Sequence, residues 1–342
     1  MANIRDVAVE ANVSVTTVSH VLNKTRYVHP ETEARILLAI KKLNYRPNRI
    51  ARSLRKMQTK TIGLIVSDID TAFFPEMTRA IEKVARDQDY SVILCNADES
   101  LEIEQNYVNL LFEKQVDGII LSPNAGNHEY LLQYLEQECR IVFINRFIED
   151  ISCPVVINND EASVFQITNM LLEKNHRHLG IAIWQDDIST TTQRFNGFKY
   201  ALEMAGMDIS DAWIYTGHAK HNEGYLAALS LVSSENPPSA IIAFNTLMQD
   251  GILIGLQDLA PNLLKNIEIT GVGYSPIARA FRSSTMFIDQ DPKEIGFRAA
   301  NLLLENLEGK RVWDSNERII VSAKIETYIK EGGDSVIFNR SL

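Results

Sequence analysis

The sequence predicts an all-α helix-turn-helix head followed by a two-lobed α/β body of doubly wound parallel sheets. Three observations predict it. Helical periodicity in three short segments fills residues 1–46. From residue 61 short apolar runs alternate with amphipathic helices, and that alternation repeats once along the body. The charge changes where the pattern changes. Residues 1–60 hold twelve Lys and Arg against four Asp and Glu, net +8, while the 342-residue chain carries −10, which leaves −18 on the rest.

A first helix is expected over 3–11, where Ile4, Val7, Ala8 and Ala11 share one face. Asn12-Val13-Ser14 breaks it. Ser14 is a good N-cap for a second helix from Val15 to about Asn23, with Val15, Val18, Val21 and Leu22 apolar. So short a gap is what a helix-turn-helix requires. The opposite face of the second helix carries Thr16, Thr17, Ser19 and His20, short side chains able to reach base edges in a major groove. A third helix starts near Pro30, with Glu31 and Glu33 at its positive dipole end, and buries Ile36, Ala39, Ile40 and Leu43. Periodicity alone leaves an ordinary three-helix bundle open. The basic, helix-prone segment 47–56 argues for more. A solvated linker has no need of Leu54 beside Arg52, Arg55 and Lys56. A helix in a minor groove would use Leu54 as a wedge between base pairs and its cations against phosphates.

In the body, strands are expected at 61–66, 90–94, 118–121, 141–144, 155–157, 179–183, 213–215, 240–244 and 267–272. Helices are expected at 75–88, 101–114, 161–174, 194–205, 246–258 and 292–306. Continuous apolar runs suit parallel strands covered on both faces. Ile62-Gly63-Leu64-Ile65-Val66 is echoed by Leu179-Gly180-Ile181-Ala182-Ile183, each followed by loop, helix and strand. The domain plan is therefore 1–46 as the head, 47–60 as hinge helix and linker, and 61–342 as the body. One lobe takes about 61–158 and 290–320, the other about 161–288 plus the C-terminal tail. Ligands of such folds bind between lobes, at the carboxyl ends of strands.

Ile4-Arg5-Asp6-Val7-Ala8, then Val13-Ser14-Val15-Thr16-Thr17-Val18-Ser19-His20-Val21-Leu22-Asn23, and Tyr45-Arg46-Pro47-Asn48 with Ala51-Arg52-Ser53-Leu54 resemble the lactose-repressor/galactose-repressor (LacI/GalR) family. The head is most similar to its purine-repressor branch. The resemblance extends over nearly the whole chain and implies a periplasmic-binding-protein-like body. It implies a recognition helix bearing Thr16, Thr17 and His20, with Ser14 and Asn23 at its ends. It also implies a hinge helix, with Arg49, Ala51, Leu54 and Arg55, that folds on DNA and inserts Leu54 at the operator centre.

The expected cleft residues come loop by loop. Phe73 and Phe74 follow the first strand, and consecutive aromatics there are hard to explain as core alone; the resemblance implies one that stacks on an effector. Ser189, Thr190 and Arg194 open a second-lobe helix, and Arg194-x-x-Gly197-Phe198 resembles the family's effector-binding arginine. Asn145-Arg146 resembles a pair found in sugar-binding members. Trp184 stands as either a stacking residue or core. Asn158-Asn159-Asp160 reads as cleft lining or linker. Two departures matter: Gly273, followed by Tyr274, and Thr246 stand where the family commonly has acids. With Arg146 and Arg194 uncompensated, the expected ligand is polar and hydroxylated, with room for a phosphate or carboxylate, unless Asp70, Asp160 or Asp289 neutralises Arg194.

His176-Arg177-His178 occupies a helix-to-strand turn, and His218-x-x-His221-x-Glu223 a loop, so neither is expected to bind metal. No phosphate loop or nucleophile motif supports an enzyme, and no cofactor is expected. Residues 1–12 are polar, no run approaches membrane-spanning length, and Cys95, Cys139 and Cys153 lack paired spacing, so a cytoplasmic protein is expected. The expected function is a repressor, with double-stranded operator DNA, a small polar effector (a sugar or sugar derivative) and a second copy of the chain as partners. The alternative is a receptor of the same fold that binds no DNA. Helices 75–88 and 246–258 are the expected dimer faces, and the tail, with two glycines and no heptad, predicts that assembly stops at the dimer.

Leu54→Ala removes the wedge and leaves every cation. It should sharply weaken binding to a palindromic operator and leave binding to random DNA nearly unchanged in a titration. Equal losses on both duplexes would remove Leu54 from this role.

Overall fold

The computed structural model describes residues 2–45, 58–184, 188–218, 220–281, 286–331 and 334–340. The hinge residues Arg49, Ala51, Leu54 and Arg55 lie outside them. The chain forms two units, Met1–Thr59 and Lys60–Leu342.

The first unit holds α1 (Ile4–Glu10), α2 (Val15–Asn23) and α3 (Pro30–Lys42). Asn3 caps α1 by accepting from the amides of Arg5 and Asp6, and Asp6 answers by accepting from the Asn3 amide at 2.7 Å. This reciprocal box starts the helix after Asn3 rather than at it. Asn12, at φ 52°, turns the chain, and Ser14 Oγ accepts from the Thr17 amide at 3.0 Å to start α2. Val7, Ala8, Ala11, Val18, Ile36 and Ala39 form the core. Val15 departs from the expected apolar face. It is 40% exposed because the first turn of α2, from Ser14 to Thr16, is exposed as a whole.

In the second unit, β1 (Thr61–Val66), β2 (Ser91–Asn96), β3 (Gly118–Leu121), β4 (Ile141–Ile144) and β5 (Val155–Asn158) form a parallel sheet in the order β5-β4-β3-β1-β2. Between them run α4 (Phe73–Asp87), α5 (Leu101–Glu113) and the short α6 (Leu132–Glu136). A second parallel sheet follows, with β6 (Leu179–Trp184), β7 (Trp213–Gly217), β8 (Ala240–Ala243) and β9 (Glu268–Gly271) in the order β7-β6-β8-β9. Its helices include α7 (Asp160–Glu173), α8 (Ser189–Met204), α9 (His221–Val232), α10 (Thr246–Leu259), α11 (Pro261–Leu264) and α12 (Pro276–Phe281). β10 (Met286–Asp289) joins the second sheet's edge through a parallel bridge from Ile288 to Val272. The chain then returns. α13 (Pro292–Leu307) buries Ile295, Ala299 and Leu303 against Ile62, Leu64 and Met77 of the first sheet and α4. β11 (Arg318–Val321) pairs with β5. The tail is structured: β12 (Lys324–Glu331) pairs antiparallel with β10 and with β13 (Asp334–Arg340). Among the described residues no helix is long and apolar enough to cross a membrane.

The three crossings between the sheets are tied by asparagines. Asn158 Nδ2 donates to the carbonyls of Gln290 (2.8 Å) and Val321 (3.0 Å), and Gln290 Nε2 donates back to Asn158 Oδ1 at 3.2 Å. Asn159 Oδ1 accepts from the Ala323 amide at 2.7 Å. Asn158 and Asn159 therefore join the crossings, and the linker reading holds for them.

α9 has no counterpart in the sequence expectations, because His218, His221 and Glu223 read as loop. Gly224 is there for contact: a Cβ on it would lie 2.3 Å from the Met248 carbonyl and 2.7 Å from Gly251 Cα of α10. That backbone contact buries α10 at nine of its fourteen residues. Large apolar residues are exposed on both helices, Leu226, Leu229 and Val232 on α9 and Ile254 and Leu259 on α10.

Gly224→Ala should push α9 off α10 and cost about 1–3 kcal/mol. The denaturant midpoint should fall at unchanged slope, while the exposed Ser230→Ala should stay within about 0.5 kcal/mol. A midpoint for Gly224→Ala equal to that of the control would show that the helices separate freely.

Candidate functional site

Loops from both sheets converge on a cavity of about 120 Å³ between them. Phe73 and Phe74 reach it from the start of α4, their rings edge to face at 5.1 Å. Asn145 and Arg146 follow β4, and Trp184 ends β6. Thr190 and Arg194 come from the first turns of α8, and Gly273 and Tyr274 from the loop after β9. Nine of the ten effector residues expected from sequence line this cavity. The tenth, Ser189, faces a neighbouring cavity, and its Oγ accepts from the Phe147 amide at 3.1 Å across the lobes. Lining residues that sequence reasoning did not assign to the site include Thr71, Glu76, Glu99, Ile188, Phe244, Asn245, Asp289 and Gln290.

The local backbone explains the placements. Asn145 sits in the left-handed region at φ 61°, a conformation asparagine tolerates, and this turns Arg146 off the end of β4. Gly273, at φ 96°, can hold a conformation that a side chain resists, and a Cβ there would lie 2.7 Å from Thr246 Cγ2. The acid that sequence comparison expects at 273 has no place in this loop geometry.

Both arginines have carboxylate partners, which corrects the expectation that they are uncompensated. Arg194 Nε donates to Asp160 Oδ1 at 3.0 Å, Nη2 to Oδ2 at 3.3 Å, and Nη1 to the Phe244 carbonyl at 2.6 Å. Asp160 is 2% exposed and Arg194 8%. Arg146 makes a fork to Glu99, with two contacts of 2.8 Å, and lies 4.9 Å from the Trp184 ring centroid. The sequence could name Asp160 only as one of three candidates. Glu99 carries no motif signal, and only folding brings the loop after β2 beside the loop after β4. The case for an anionic ligand falls with these pairs.

One further link bridges the lobes. Lys220 Nζ, before α9, donates to Asp98 Oδ1 at 2.9 Å and to Asp68 Oδ2 at 3.2 Å, both after first-sheet strands. The hydrogen bond to Asp98, with the charge of Asp68, raises the Lys220 pKa further.

In the first unit Thr16 is exposed, and Thr17, Ser19 and His20 are partly exposed beside it. Ser14 and Thr17 hydroxyls share a 2.8 Å hydrogen bond, so Ser14 serves first as a cap. His20 Nδ1 is bonded to Thr25 Oγ1 at 2.8 Å, which orients its ring. Asn23 is the last residue of α2. In the second unit His176 is engaged by Ser239 and Glu268, and His178 by the Pro237 carbonyl. Contrary to the loop reading, His221 and Glu223 lie in the first turn of α9, where Glu223 accepts from the Tyr215 hydroxyl at 3.1 Å. The three cysteines are unpaired, and burial pushes the Cys153 thiol up to about 12 and that of Cys139 to about 11.

The chain matches two family descriptions: bacterial regulatory proteins of the lacI family over residues 3–48, and the periplasmic binding proteins and sugar binding domain of the LacI family over residues 59–322. It is 33% identical to the HTH-type transcriptional repressor PurR of Salmonella paratyphi B, over 91% of this chain and 92% of that one. Among solved structures it resembles a putative ribose operon repressor from Burkholderia thailandensis (26% identity, 79% of this chain and 99% of that one, TM-score 0.71). It shares the fold of the Lac repressor dimer bound to operator and the anti-inducer ONPF (20% identity, 95% and 97%, TM-score 0.82).

Asp160→Asn leaves the Arg194 charge buried without its carboxylate. The expected loss is about 3–5 kcal/mol of unfolding free energy. Glu294→Gln, which removes an exposed helix pair with Arg298, should cost under about 1 kcal/mol. Similar small losses for both would show that the Arg194 pair is not held away from water.

Proposed function

The chain belongs to the LacI family of bacterial regulatory proteins, and from that membership we propose how this repressor is built to work. It is a DNA-binding transcriptional repressor under the control of a small molecule. We assign operator reading to the exposed face of α2, with Thr16, Thr17 and His20 toward base edges. Residues 47–60, with Leu54 as wedge, form the connection to the body. The observation that carries the control mechanism is the cavity lined from both lobes, because a ligand touching both biases how they sit together.

Binding as a homodimer supplies two heads for a pseudo-palindrome. Exposed Ile93 and Leu94 on edge strand β2, with Leu226 and Leu229 on α9, support self-association along the body. Function in the cytoplasm, where the operator is, fits three unpaired cysteines. The basic head on an acidic body concentrates attraction for phosphate at one end of the sequence.

The test is a fluorescence titration of the full-length chain with a palindromic duplex carrying a central C-G step and with a scrambled duplex. We expect selective binding whose logarithm falls linearly with the logarithm of salt concentration. A ligand found by thermal-shift screening of sugars, sugar phosphates and nucleobases should change the operator affinity. Equal affinity for both duplexes would overturn the operator-reading assignment. A bound ligand that never alters DNA affinity would overturn the control mechanism.

A further inference from the structure

We propose that Asp289 is the carboxylate that reads the ligand in the cleft, and that the ligand offers it a hydrogen-bond donor, a hydroxyl or a protonated amine. This rests on the reading of the interlobe cavity as the effector site. It goes further by naming the residue that sets specificity and the charge class of the ligand.

The first argument is a charge balance. Five charged side chains line the cavity: Arg146, Arg194, Glu76, Glu99 and Asp289. The arginines are spent on Glu99 and on Asp160, which stands behind Arg194. Glu76 is 46% exposed and faces Lys293 at 3.7 Å. Asp289 differs from all of these. Among the described residues it forms no salt bridge, although its cross-strand neighbour on β12 is Lys324. One oxygen, Oδ1, accepts from the Asp291 amide at 3.1 Å. The cavity thus presents a carboxylate with accepting capacity left over and no cation to spare. A phosphate or carboxylate on the ligand would meet repulsion at Asp289 and two guanidiniums whose charge is already paired with a carboxylate.

The second argument comes from the surroundings of Asp289. The charged groups that act on it are Asp291, Lys324 and Glu76, two like charges and one opposite. Burial is the largest influence and pushes its pKa up. A half-buried carboxylate in that setting gains from any donor that arrives.

The third argument concerns the rest of the ligand. Trp184 also lines the cavity, 7% exposed, with the Arg146 guanidinium 4.9 Å from its ring centroid. Phe73 adds an apolar ring face at the first-lobe wall. A ring with a flat apolar face for Phe73 and a donor for Asp289 meets both demands. Hydroxylated sugars and their amino derivatives have this pattern; a sugar phosphate has it too but adds an anion that Asp289 repels.

The experiment uses the full-length chain and a fixed set of pentoses and hexoses, each supplied as neutral sugar, amino sugar and sugar phosphate. Thermal shift finds binders and calorimetry measures them on the wild type, Asp289→Asn, Asp289→Glu and Phe73→Ala. We expect neutral or amino members to bind and their phosphates to bind more weakly. Asp289→Asn should weaken binding about 10- to 100-fold, as loss of a charged hydrogen bond does. Asp289→Glu, which keeps the charge, should recover much of it, and this separates a lost contact from a damaged fold. Preference for the amino sugar that disappears in Asp289→Asn would identify the donor as ammonium; equal losses for both forms would identify it as hydroxyl. Tighter binding of a phosphate than of its parent sugar overturns the proposal. So does a wild type stabilised by no member, or binding unchanged in Asp289→Asn but lost in Phe73→Ala, a result that leaves the cleft reading standing. Binding unchanged in both variants overturns the cleft reading itself.

Discussion

The body depends on the way its three chain crossings are tied to one another. Asn158 holds the carbonyls of Gln290 and Val321, one from each of the other crossings, and Asn159 holds the Ala323 amide. Asn158 is 2% exposed, so each broken bond would leave a polar group away from water. Three crossings tied side by side are a narrow connection between two packed lobes. That is the geometry of hinge closure, in which a few residues absorb the motion and the packed lobes move as bodies. The next residue, Asp160, begins α7 and neutralises Arg194 on α8. Three consecutive residues therefore tie the crossings and pair the Arg194 charge.

The contacts between lobes are graded. Arg146, buried and held within the first lobe by its fork to Glu99, lies 4.9 Å from the ring centroid of Trp184 in the other lobe. At the rim, Lys220 spans to Asp68 and Asp98 with its side chain 40% exposed. Solvent screens such a link, so its worth is small. A small energy is useful here. A ligand can shift a two-state equilibrium only by its differential affinity for the two states, so a lobe arrangement held by modest contacts is within a small molecule's reach.

The head follows a different logic. Its core is six small or medium apolar side chains, and its helices begin at side-chain caps on Asn3 and Ser14. These caps place the first turn of α2 in solvent, which leaves Val15 and Thr16 exposed together. The charge of the head opposes that of the body, so attraction to a polyanion is confined to one unit while the body is repelled.

The sequence by itself determined the elements whose signal is local. Strands at 118–121 and 141–144 and the start of α2 at Val15 follow from apolar runs and a cap, which need no partner to be read. Aromatics at 73 and 74 and the arginines at 146 and 194 marked the cleft because they follow strand ends. What only the tertiary structure decided is what those side chains meet. Glu99 is 47 residues from Arg146 and Asp160 is 34 from Arg194, and no periodicity records such pairings. The fold of α9 was hidden for the same reason, since the role of Gly224 is set by Gly251, which only folding lays against it. The tail strands pair with β10 and with each other, and a strand's partner is a long-range contact. Charge and pattern are properties of the chain, but whether a charge is spent depends on the neighbour that folding brings to it.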